Sequence, residues 1–164
     1  MQNKVEAPHS LWFEIPHNFG IVEFPPNILK HFRAHQQTNP QTPESGGQLF
    51  WKPSDKGHKI VASITGPRPS DRRSRNSYKA DHKQELIEID EHYEKGLFFL
   101  GDWHTHPEAE PKPSISDIYA ANEIFTRSEN RGDGFLLVII GNRNIEDSIC
   151  AYLINGKCTT AKRI

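Results

Sequence analysis

The chain has 164 residues, with 20 basic residues against 21 acidic ones and a net charge of -1. That length suits one domain with an adequate core. The neutral balance offers no footprint for nucleic acid or an anionic membrane, and no apolar run approaches the ~18 residues of a transmembrane helix.

The first ten residues are polar, carry Glu6 and Pro8, and lack the apolar stretch of a secretory signal. Cys150 and Cys158 are the two cysteines, too few for a disulfide framework. A cytoplasmic protein with free thiols is expected.

Leu11–Ile15 and Ile21–Phe24 read as a strand pair across Pro16-His17-Asn18. Pro25-Pro26 closes it, and from Asn27 the residues Ile28, Leu29 and Phe32 predict a short amphipathic helix. Residues 40–47 have turn chemistry, Gln48–Trp51 a short strand, and His58–Thr65 a strand closed by Gly66-Pro67. Residues 67–80 hold Arg68, Arg72, Arg73, Arg75 and Lys79 without periodicity, so a mobile basic loop is expected.

Asp81 then caps a helix with Leu86, Ile89, Asp90 and Tyr93 on one side, ended by Gly96. Leu97–Leu100 predicts a buried strand running into Gly101-Asp102-Trp103-His104. Ser114 opens a helix carrying Ile118, Ala121, Asn122 and Phe125. The apolar run Phe135–Ile140 predicts a central strand. Residues 145–154 and 157–164 predict a hairpin about Asn155-Gly156. The fold class is α/β in the mixed α+β sense: a central mixed sheet flanked by helices, one domain over residues 1–164.

His104 and His106 are two apart, so on an extended strand both imidazoles share a face. Ser114 and Asp117 have the spacing of a capping box at a helix start, where a carboxylate is also favoured by the helix dipole. Capping and metal ligation are compatible, because a first-turn aspartate is fixed in direction. Catalytic zinc sites usually have three protein ligands and leave a fourth position for water. His104, His106 and Asp117 make such a set, with Glu44 as the candidate base. Gly46 and Gly47 behind Glu44 allow a tight turn and a close approach. Trp103 reads as packing behind the site.

Together, Glu44-x-Gly46-Gly47, His104-x-His106-Pro107 and, seven residues on, Ser114-x-x-Asp117 resemble the JAMM motif of the JAB/MPN metalloprotease family. The order of helices and strands resembles that fold over about the whole chain. The resemblance implies one Zn2+ per chain on His104, His106 and Asp117. It implies Glu44 as general base and acid, and Ser114 as a donor to the tetrahedral oxyanion. Arg68, Arg72 and Arg73 lie where family members carry a substrate-contacting insertion.

Gly101-Asp102-Trp103-His104-Thr105-His106-Pro107-Glu108, with Thr65-Gly66-Pro67-Arg68, is similar to prokaryotic JAB proteins encoded beside cGAS-like nucleotidyltransferases in CBASS antiphage operons. That similarity implies an isopeptidase or peptidase acting after the C-terminal tail of a ubiquitin-like or ubiquitin-style conjugated protein. The protein tail is then the partner, with neither nucleic acid nor membrane. Two other readings stay open: a peptidase that trims a sulfur-carrier protein, and a non-catalytic MPN-type scaffold.

Overall fold

The computed structural model describes residues 9–127 and 134–164. Strict alternation makes Leu11–Ile15 (β1) a half-buried strand, with Leu11, Phe13 and Ile15 inward. It pairs antiparallel with Gly20–Phe24 (β2). Pro26–Ala34 (α1) starts on a proline and buries Ile28, Leu29 and Phe32. Gly46–Pro53 (β3) and Lys59–Ile64 (β4) follow as an antiparallel pair. The strand therefore begins at Gly46, so Gly46 and Gly47 lie inside the sheet rather than in a turn.

Residues 72–79 depart from the expected irregular loop. Arg72–Ser74 (β5) and Ser77–Lys79 (β6) form a small antiparallel hairpin. Short polar strands carry no apolar alternation, which is why periodicity missed them; tertiary hydrogen bonds hold them instead.

His82–Glu94 (α2) is capped by the Asp81 side chain, which accepts from the backbone N–H groups of Lys83 and Gln84. Its inward face is not the expected one. Leu86 and Tyr93 are 64% and 68% exposed, whereas Glu85 is buried, and Glu88, Ile89 and His92 are half-buried. Polar partners on the sheet decide this. The Gln48 amide, turned so that its nitrogen donates, reaches the Glu85 carbonyl and the Glu88 carboxylate. His92 stacks on Phe50 with ring centroids 3.7 Å apart and hydrogen-bonds Ser63 Oγ at 2.9 Å.

Phe98–Thr105 (β7) pairs antiparallel with β3 and parallel with Phe135–Ile140 (β8). Leu49 faces Gly101 and Phe50 faces Phe99, which leaves Leu100 as an extra residue in β7. Such a bulge shifts side-chain phase, so Leu100 and Trp103, three apart, both enter the same core.

Ile115–Arg127 (α3) follows the ligand loop. A single helical turn, Ile145–Ser148 (α4), leads into Ile149–Ile154 (β9), which pairs with β8. Cys158–Thr160 (β10) turns back on β9 as expected, but Lys162–Arg163 (β11) leaves it to pair with β1.

The nine-stranded mixed sheet has the order β10-β9-β8-β7-β3-β4-β2-β1-β11. Every residue of β8 is buried. Leu136, Val138 and Ile140 join the large core containing α1, while Phe135, Leu137 and Ile139 join the smaller cluster containing Ala121 of α3. Burial on both faces explains why the run shows no alternation. Cys150 and Cys158 are free thiols. Among the described residues, no helix is long and apolar enough to cross a membrane.

Candidate active site

The end of β7 and the first turn of α3 bring three ligand atoms together. His104 Nε2 and His106 Nε2 are 3.0 Å apart. Asp117 Oδ2 lies 3.3 Å from the first and 3.2 Å from the second. The side chains are 11%, 9% and 20% exposed, shielded but open to one side. Two imidazole nitrogens aimed at one another and at a carboxylate oxygen form a converging donor set that suits a cation. Burial opposes the charge on Asp117, but hydrogen bonds from both histidines and from the Ser114 backbone outweigh it and hold the carboxyl far below the usual range. His106 Nδ1 is buried without a hydrogen-bond partner among the described residues, with Glu108 Oε1 at 3.8 Å. Ligand histidines commonly engage an acceptor through their other ring nitrogen, and Glu108 is the nearest carboxylate. The residues fit a divalent metal, and zinc suits two nitrogens plus one carboxylate oxygen.

Ser114 and Asp117 form the reciprocal cap that their spacing suggests. The Ser114 N–H donates to Asp117 Oδ2 at 2.8 Å, and the Asp117 N–H donates to Ser114 Oγ at 3.0 Å. The oxygen that accepts the cap hydrogen bond is the same one that faces both histidines. Capping and ligand placement are one arrangement here.

Glu44 arrives from 60 residues upstream through the β3–β7 ladder. Gly46 faces His104 in that register, and the Thr105 N–H donates to the Ser45 carbonyl at 2.8 Å. Glu44 lies just before Ser45, outside the regular ladder. Glu44 is 8% exposed. Burial pushes its carboxyl up to about 7, with His106 pulling the other way and Asp117 adding to the rise. A carboxylate near neutrality can both take and return a proton.

The backbone of Glu44 is pinned by the hairpin: its N–H donates to the Ser74 carbonyl at 2.8 Å, and its carbonyl accepts from Arg73 Nε at 2.7 Å. Gly46 leaves room for the hairpin, and Gly47 for the neighbouring strand end at Thr65. A Cβ on Gly47 would lie 1.8 Å from the Thr65 carbonyl oxygen, and one on Gly46 would lie 2.6 Å from the Tyr78 ring. What approaches closely is the chain itself.

Arg68, expected to meet substrate, is instead buried at 8% exposure. Its Nε donates to Glu88 Oε1 at 2.6 Å, and Nη1 reaches Asp71 and Tyr78. Ion pairing outcompetes exposure because Glu88 and Asp71 flank it. Arg73 is likewise engaged with Glu44 and Ser45. Arg72 remains exposed on β5. Trp103 packs behind the site as expected, 1% exposed, with Nε1 donating to the Thr65 carbonyl at 2.9 Å.

Two residues escaped sequence reasoning. Gln37, 2% exposed, donates to the carbonyls of Thr42 and Arg75 and accepts from Thr105 Oγ1 at 3.0 Å. Nothing in the polar run Gln36-Gln37-Thr38 signals this. Asp102 shares the face of His104 by simple two-residue period, a signal that was present but unused.

These elements enclose a groove of about 610 Å³. One wall is the hairpin from Asn76 to Ala80, and the other is α3 at Ser116, Asp117, Ala120 and Ile124. Glu44, His104, His106 and Ser114 line it.

The family described as prokaryotic homologs of the JAB domain matches residues 25–152, and the chain belongs to that family. It is 30% identical over 94 residues to a CD-NTase/cGAS isopeptidase of Escherichia coli, an alignment covering 56% of this chain and 60% of that protein. It is 28% identical over 121 residues to a CD-NTase/cGAS isopeptidase of Vibrio cholerae, covering 72% and 74%. The solution structure of protein DSY2949 from Desulfitobacterium hafniense superposes with a TM-score of 0.59 at 19% identity, covering 86% of this chain and 88% of that one. This last likeness concerns the fold alone.

Proposed function

We propose that the chain is a zinc-dependent JAMM-type isopeptidase or peptidase that hydrolyses the bond following the C-terminus of a ubiquitin-like or ubiquitin-style conjugated protein. Its substrate is a cGAS-like nucleotidyltransferase released from its conjugation targets in antiphage defence. One observation carries the reading: Glu44, His104, His106, Ser114 and Asp117 all line one groove, though they come from three separate parts of the chain. The names of the Escherichia coli and Vibrio cholerae relatives support the substrate class.

His104 Nε2, His106 Nε2 and Asp117 Oδ2 would hold the metal. When bound, zinc supplies Lewis acidity toward the carbonyl and the attacking water. Glu44 accepts the proton of that water as its oxygen bonds to the scissile carbonyl carbon. The carbonyl π electrons move onto oxygen, and the Ser114 hydroxyl donates to the resulting oxyanion, a type of contact whose loss costs ~10²–10³ in rate. When the C–N bond breaks, Glu44 returns its proton to the leaving amine. β6 lines the groove and pairs with β5, so an extended tail can add at its other edge as a strand. Arg72, exposed on β5, is free to meet acidic surface on the modifier.

The test is a cleavage assay read by intact mass, comparing zinc-loaded wild type with Glu44→Gln. Substrates are linear and lysine-branched fusions of a nucleotidyltransferase tail, a ubiquitin-like protein and a sulfur carrier. Cleavage after the nucleotidyltransferase tail by wild type, reduced ~10²–10⁴-fold in Glu44→Gln, is expected. Cleavage confined to the sulfur carrier replaces the substrate class, and no cleavage at all favours a scaffold.

A further inference from the structure

The groove extends past the ligand centre along β7 toward α2, where it meets a carboxyl that the chemistry above does not use. Asp102 lines the groove, and its Oδ1 is buried without a hydrogen-bond partner among the described residues. The local charge balance is one-sided. Asp71, Glu85, Glu88 and Asp102 gather about one buried cation, Arg68. That guanidinium is fully engaged: Nε and Nη2 on Glu88, Nη1 on Asp71 and Tyr78, and Nη2 also on Thr65. The Tyr78 hydroxyl donates to Asp71 at 2.7 Å, so it is not available either. Glu85 takes the exposed His82 ring at 3.0 Å. No cation among the described residues is within ion-pair distance of Asp102. Asp102 as a whole is half-buried, and a carboxylate partly withdrawn from water is disfavoured unless a charge or hydrogen-bond donor meets it.

We infer that Asp102, backed by Glu85, is a subsite for a cationic side chain, a lysine ammonium or arginine guanidinium, on a substrate residue beside the cleaved bond. This rests on the peptidase reading. Asp102 and His104 are two apart on one strand face, roughly 7 Å along β7. An extended peptide in the groove has the same two-residue repeat, so the basic residue falls within about two positions of the scissile bond. Its ammonium meets the Asp102 carboxyl where that side chain lines the groove, and its aliphatic stem runs over the groove-lining Ala121 and Leu137.

The experiment titrates ¹⁵N-labelled, zinc-loaded protein with Nα-acetyl-lysine N-methylamide and with its norleucine counterpart, up to ~10 mM, a range that detects millimolar affinity. The lysine probe is expected to shift the amides of Glu85, Asp102 and Trp103 saturably, with the norleucine probe at least ~10-fold weaker. In the near-isosteric Asp102→Asn variant the two probes become equivalent. Equal responses in wild type, or an undiminished lysine preference in Asp102→Asn, overturn the subsite. The wild-type comparison needs no variant, so a folding defect in Asp102→Asn leaves the test intact. A second arm exchanges a basic residue beside the bond for norleucine in whichever substrate is cleaved. Here kcat/KM should fall ~10-fold or more in wild type and little in Asp102→Asn. Lysine binding without cleavage of any substrate sinks the peptidase reading and keeps the subsite. Glu44-dependent cleavage with no lysine preference in either arm does the reverse.

Discussion

Arg73 Nε donates to the carbonyl oxygen of Glu44 at 2.7 Å, while its Nη2 donates to the Ser45 hydroxyl at the same distance. An arginine from a hairpin thus fixes the backbone that presents the candidate base. Arg73→Ala should leave zinc content unchanged and lower turnover roughly 10–100-fold, the scale of a misplaced catalytic group. Arg73→Lys keeps one donor and should recover part of the loss. Metal analysis beside steady-state rates checks this, and a parallel loss of zinc sinks it.

Thr105 stands between the two ligand histidines but points the other way. Its Oγ1 accepts from the Ser45 N–H at 2.9 Å and donates to Gln37 at 3.0 Å. Thr105→Val preserves shape and removes both bonds, leaving two buried polar groups unpaired. A stability loss of about 2–4 kcal/mol is expected, measured by urea unfolding, with Gln37→Ala showing a similar loss. The double variant should lose less than the sum of the singles, because the residues share one bond.

Asp117→Ala removes a ligand and one half of the reciprocal cap together. Zinc affinity and turnover should both collapse, and the metal-free variant should lose ~0.5–1 kcal/mol of stability. Full zinc occupancy in Asp117→Ala, read by elemental analysis, would show that another residue ligates.

Asp71 ties the hairpin to α2. Burial raises its carboxyl, but hydrogen bonds from the backbone of Arg68 and Asp81 and from the Tyr78 hydroxyl, together with the Arg68 charge, hold it below its ordinary value of 3.8. A carboxyl depressed in the folded state stabilises above its unfolded pKa of about 3.9 and loses that contribution as pH falls through the folded value. Wild type should therefore lose melting temperature more steeply than Asp71→Asn below about pH 4. Parallel curves would remove Asp71 from the acid response.

Arg68→Ala strips the cation from half-buried Glu88 and from the fully buried side chain of Asp71. A loss of roughly 3 kcal/mol is expected, against little change for exposed Arg72→Ala. Comparing their unfolding midpoints separates an anchoring arginine from one available to substrate.

The strand and helix framework was legible wherever one periodicity dominated. The alternation of Leu11–Ile15, the apolar run Phe135–Ile140 and the amphipathic Asn27–Phe32 segment each read directly as elements found in the fold. The expected inward face of α2 failed because Gln48, Phe50 and Arg68 offer it polar and stacking partners that no local pattern encodes. The hairpin at residues 72–79 failed for a related reason: its order comes from Arg68, Arg73 and Tyr78 bonding to distant groups.

By itself the sequence determined the chemical inventory. Two histidines at a strand end, an aspartate in a helix first turn and an upstream glutamate before two glycines are fixed by residue type and spacing. Only the tertiary structure decided their assembly. The β3–β7 register sets Gly46 opposite His104 and so brings Glu44 into the groove that the histidines line, because strand pairing is specified by non-local burial and hydrogen bonding rather than by neighbours in sequence. The same packing assigned the arginines. Identical side chains became a buried anchor at 68, a clamp on the candidate base at 73 and an exposed charge at 72, according to which carboxylates and carbonyls the fold brought within reach.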